Sequence, residues 1–93
     1  MIQSFADEQT RRIWQRQHVP HIGPDLQRAA HKKLRLLNAA GSVNDLRIPP
    51  GNRLEKLAGD RAGQHSIRIN DQFRICFVWT EGGPGSVEIV DYH

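Results

Sequence analysis

Helices laid on one face of a twisted antiparallel sheet, an α+β fold, are predicted by three observations. Residues 24–40 carry an apolar stripe at offsets of three and four, residues 64–79 alternate in and out with period two, and turn-forming residues separate the alternating runs. The order is expected to be an N-terminal strand, two helices, and then three or four strands, in one domain spanning residues 1–93.

Ile2 and Phe5 open a short run that suits an edge strand, and Asp7 suits the N-cap of a helix with Glu8 in its first turn. That helix is expected to reach about Gln17. Ile13 and Trp14 are its only apolar anchors, so it belongs on the surface, and Pro20 ends it. Gly23-Pro24-Asp25 reads as the next helix start, since proline's fixed φ and missing N–H suit the first helical position. Leu26, Ala29, Ala30, Leu34, Leu37 and Ala40 form one stripe, and Gly41 is placed as the C′ residue. Arg28, Lys32 and Arg35 fall on the other side as a cationic ridge, read as facing water. Ser42 to Asp45 has the spacing of a capped turn, and Ile48-Pro49-Pro50-Gly51-Asn52 is loop.

From residue 64 the period changes. Ile67 and Ile69 oppose Ser66 and Arg68; Phe73, Ile75, Phe77 and Trp79 oppose Arg74, Cys76 and Val78. Asn70-Asp71-Gln72 and the glycine-rich 81–85 stretch turn the chain, and residues 86–93 make the last strand. Arg53 to Leu57 adds a further short strand, turned by residues 58–61.

Composition narrows the function. One cysteine, Cys76, allows no internal disulfide and fits a reducing cytoplasm; its apolar neighbours make it core filler rather than nucleophile. The N-terminal residues lack a basic head and apolar core, and no apolar run is long enough to cross a bilayer, so the protein is expected in the cytoplasm and not at a membrane. His18 and His21 stand three apart with Pro20 between them and no completing ligand, so neither metal nor cofactor is expected. His31 and His65 are read as surface or packing residues.

Charge is segregated. All 13 Lys and Arg lie between Arg11 and Arg74 against five acids, giving that span +8, whereas the flanks carry only acids. With a pI near 9.6, a basic body of this kind points to an anionic partner, nucleic acid first. The last three residues, Asp91-Tyr92-His93, supply a carboxylate, a phenol and an imidazole. Cleavage of RNA by its own 2′-OH needs a base, an acid and cations on the phosphate. Arg68 and Arg74, with Arg53 and Arg61, are the phosphate candidates; Asp91, Tyr92 and His93 are the acid, base and stacking candidates.

The run Pro49-Pro50-Gly51-Asn52-Arg53-Leu54-Glu55-Lys56-Leu57-Ala58-Gly59-Asp60-Arg61, its continuation through Arg74, and the closing Val87-Glu88-Ile89-Val90-Asp91-Tyr92-His93 resemble the HigB-type toxins of the RelE/ParE superfamily, closest to the GraT-like branch. The resemblance implies a RelE-like fold and a growth-inhibiting, metal-independent endoribonuclease (mRNA interferase) that cleaves mRNA in the ribosomal A site. It also implies a HigA-type helix-turn-helix antitoxin, through whose complex alone operator DNA is bound. Asp91, Tyr92 and His93 match the family's catalytic C-terminus. Some members have a histidine and a lysine where this chain has Glu55 and Ala58; Lys56 or Arg53 is the candidate for the missing charge, His65 a weaker one, and moderate activity is expected. Gyrase inhibition of the ParE kind, noncatalytic growth inhibition and a plain binding module are the alternatives.

Overall fold

In the computed structural model, residues 1–91 are described; Tyr92 and His93 lie outside them. Helix α1 (Glu8–Trp14) starts where Asp7 accepts the Thr10 N–H at 2.8 Å, as its N-cap role requires. It stops three residues short of Gln17. Arg16 turns left-handed (φ 60°), and the Arg16 and Gln17 N–H groups bond back to the Ile13 and Arg12 carbonyls. That is a Schellman ending with arginine where glycine is usual.

Helix α2 (Pro24–Ala39) runs as expected and buries Ala30, Leu34 and Leu37. Its ending differs from the expected one. Gly41 does not enter the left-handed region; Asp45 instead accepts from the Gly41 and Ser42 N–H groups and starts a 3-10 turn at Val43–Arg47. The two helices meet through Trp14 and His31, whose rings stack 5.5 Å apart at 20°. Burial, with the Arg16 charge nearby, pushes the His31 imidazole below its ordinary range. The unfolded chain therefore binds this proton more readily. Stability held above pH ~6.5 is lost as pH falls through and below that value. His31→Phe keeps a ring against Trp14 without the proton; urea titrations at several pH values should show a smaller loss on acidification than in the wild type.

Four strands follow as an antiparallel meander in the order β1 (Glu55–Lys56), β2 (His65–Arg68), β3 (Phe73–Thr80) and β4 (Gly83–Asp91). Asn70 shapes the β2–β3 turn by accepting from the Gln72 and Phe73 N–H groups. The expected N-terminal strand is only a single parallel bridge, Phe5 to Val87. The cause lies in β4. Between the Cys76–Glu88 and Val78–Gly85 pairs β4 holds one extra residue, a bulge at which Ser86 takes φ 48°. The bulge breaks the ladder a longer strand would need. Ser4 fills it, accepting from the Ser86 and Val87 N–H groups.

Gly83 anchors this arrangement. It holds φ 130°, and a Cβ there would sit 2.4 Å from the Met1 carbonyl oxygen. Gly83→Ala should cost about 1–2 kcal/mol and release the first residues, read as faster amide exchange at Gln3 and Ala6.

Alternation along the strands assigns the two sheet faces. Ile67, Ile75, Phe77 and Val87 pack with Ile13, Leu34 and Leu37 into one core, so the helices cover that face. Ser66, Arg68, Arg74, Cys76, Glu88 and Val90 alternate onto the other. No helix among the described residues is long and apolar enough to cross a membrane.

Candidate active site

Residues on the face away from the helices form two rows. Glu55, Ser66, Cys76 and Glu88 are successive cross-strand partners in one, and Arg68, Arg74 and Val90 in the other. Arg68 and Arg74 are thus direct partners on adjacent strands. Like charges so placed repel, a cost of up to about 1 kcal/mol.

The two arginines are held differently. Arg74 is buried; its Nε donates to Ser66 Oγ at 2.8 Å, and one terminal nitrogen donates to the Ser66 and Arg53 carbonyl oxygens. Those three acceptors orient the guanidinium. Arg68 is one-third exposed and pairs with the exposed Asp71 in the adjoining turn.

The Arg53 carbonyl is itself positioned. Asn52, fully buried, donates to the Leu46 and Ile48 carbonyls and accepts from Lys33 Nζ at 2.6 Å; Arg53 then turns left-handed with φ 44°. Desolvation lowers the Lys33 pKa, with the charges of Lys32 and Arg68 adding to it. Arg61, just before β2, reaches across the sheet to Glu88 at 3.1 Å and to Gln64. Its cation therefore stands over the first row.

Three of the five expected phosphate-binding residues, Arg61, Arg68 and Arg74, thus converge on this face, and Arg53 joins them by its backbone. Lys56 does not. It is the cross-strand partner of His65, which is the partner of Phe77, so it alternates toward the helix side. Asp91 pairs in register with Phe73, two residues on from Ile89, and alternates to the helix side as well. It lies exposed at the sheet's end, where Gln72 Nε2 donates to its Oδ2 at 2.9 Å. Cys76 is buried as expected, but between Ser66 and Glu88 on the face away from the helices rather than within the helix-side core.

Sequence reasoning missed Glu88, Ser66, Asn52 and Lys33. Ser66 and Glu88 left a signal: Ser66 stands two residues from Arg68 and Glu88 two from Val90, so alternation with a correct register puts both beside the arginines.

Two helices on one face of a four-stranded antiparallel meander make an α+β domain consistent with the RelE-like toxin fold. A family model described as the RelE-like toxin of type II toxin-antitoxin system HigB matches residues 3–93, and the chain belongs to that HigB-like toxin family. It is 48% identical over 61 residues to Toxin HigB-1 of Vibrio cholerae serotype O1, covering 66% of this chain and 64% of that protein. It is also 38% identical over 56 residues to an uncharacterized protein of Haemophilus influenzae, covering 60% and 55%. The aligned segments thus span less than two thirds of either relative's length.

Proposed function

We propose that this protein is a toxin acting as a ribosome-dependent endoribonuclease on translated mRNA in the A site, and that a HigA-type antitoxin binds it and restrains it. The observation that carries this reading is the Arg68–Arg74 pair on the sheet face away from the helices. Two guanidinium groups on directly paired residues of adjacent strands can hold one phosphate from two sides. Family membership supports the toxin class.

In the proposed reaction the ribose 2′ oxygen attacks the adjacent phosphorus while a base takes its proton. The bond from phosphorus to the 5′ oxygen breaks, and an acid returns a proton to that oxygen. A 2′,3′-cyclic phosphate and a 5′-hydroxyl end result. Arg68 and Arg74 balance the phosphorane's charge, with Arg61 within reach of the same face. Asp91, Tyr92 and His93 are the proposed proton-transfer and stacking groups; they follow directly after Val90, the cross-strand partner of Arg74. Glu55 stands in the polar row where some relatives carry histidine, so His93 bears more of the proton transfer and the rate is moderate.

Purified protein added to a reconstituted translation system should cut the message only when ribosomes and message are both present. Arrested translation with intact message would instead favour noncatalytic inhibition, and DNA damage in expressing cells would favour a gyrase target.

A further inference from the structure

One cleft among the described residues shares no lining residue with the rows of the sheet face. It is a cleft of about 680 Å³ between the end of α1, the following loop and α2. Ile13, Ile22 and Pro24 line it together with Arg16, Arg28, His18, His31, Lys32 and Arg35. No carboxylate lines it. Arg28 is paired with Asp25 at its edge, and Glu8 holds Arg11 and Arg12 outside it. Arg16, Lys32 and Arg35 have no carboxylate partner among the described residues.

We propose that this cleft is the docking site for an acidic, amphipathic segment of a partner protein. Three uncompensated cations around an aliphatic floor fit a helix that offers apolar anchors at i and i+4 with Asp or Glu beside them. RNA fits less well. Single strands need an open aromatic face for stacking, and the indole here, Trp14, is already stacked on His31.

Arg16 adds a second indication. It occupies the left-handed C′ position that glycine fills at least cost, a strained conformation for a residue with a Cβ. Its guanidinium is what the cleft gains from that choice. The ridge of Arg28, Lys32 and Arg35, expected from sequence to face water, becomes one wall of this site.

The probe is a short fluorescein-labelled peptide with leucines at helical i, i+4 spacing and glutamates between them, followed by anisotropy on the full chain. Wild type should bind it, more weakly as salt rises. A Lys32→Glu/Arg35→Glu variant should bind at least about tenfold more weakly. Arg16→Gly should weaken binding about threefold while leaving the melting temperature equal or higher, because it relieves backbone strain. A peptide with glutamine for glutamate should fail to bind, and single-stranded RNA should not displace the acidic one. Equal binding by the charge-reversed variant, or displacement by RNA, would overturn the proposal. No ribosome or message enters the assay, so it succeeds or fails separately from the nuclease reading.

Discussion

His93→Ala should abolish growth arrest on expression while leaving the unfolding midpoint unchanged. A positioned acid or base contributes about 10²–10⁴-fold to rate. Losing the terminal imidazole should therefore take cleavage into that range of loss. Among the described residues the buried core runs from Ile13 to Val87, and thermal melts of the variant check that the loss is one of chemistry and not of folding. Asp91→Asn should cost less, because the exposed Asp91 carboxylate meets Gln72 at the sheet's end, and a neutral amide can keep that hydrogen bond. Single-turnover cleavage and thermal melts on the three proteins separate the effects. Full toxicity in a folded His93→Ala protein would remove the imidazole from the mechanism.

Arg74→Leu and Arg68→Met should differ sharply although the two arginines are cross-strand neighbours. Arg74 is 9% exposed and serves the Ser66 hydroxyl and two carbonyls. Leucine would leave those acceptors buried and unpaired, a loss of about 2–3 kcal/mol, together with activity. Lysine would recover little, since one ammonium cannot span the acceptors a planar guanidinium reaches. Among the described residues Arg68 pairs only with the exposed Asp71. Arg68→Met should therefore leave stability within about 0.5 kcal/mol, or raise it, and still lower cleavage. Chemical denaturation with message cleavage on both variants tests this. Equal destabilisation by the two would mean that Arg68 is structural.

Much of this was legible from periodicity. The α2 stripe, the alternation of residues 65–80 and the proline and glycine punctuation describe the helix, the meander and its turns with errors of a few residues. The misses have local causes. Arg16 adopts a conformation that propensity assigns to glycine, so α1 ends early. The β4 bulge is one residue in one strand, without a compositional mark, yet it reduces the N-terminal strand to a bridge.

The geometry of the candidate site was legible only in part. Arg68 and Arg74 were assigned correctly to one face because they flank a turn of readable length. Lys56 and Asp91 depend on register, which alternation alone does not set, and both alternate to the helix side. The Lys33–Asn52 bond joins residues 19 apart through a buried amide, a contact that no local pattern announces.

The central claim is that this chain cuts message on the ribosome using its terminal residues. Transcript 5′ ends mapped after brief expression of wild type and of His93→Ala test it most directly. New 5′-hydroxyl ends within translated codons, present with wild type and absent with the variant, are the expected result. Growth arrest by wild type with no new ends inside coding sequence would contradict it.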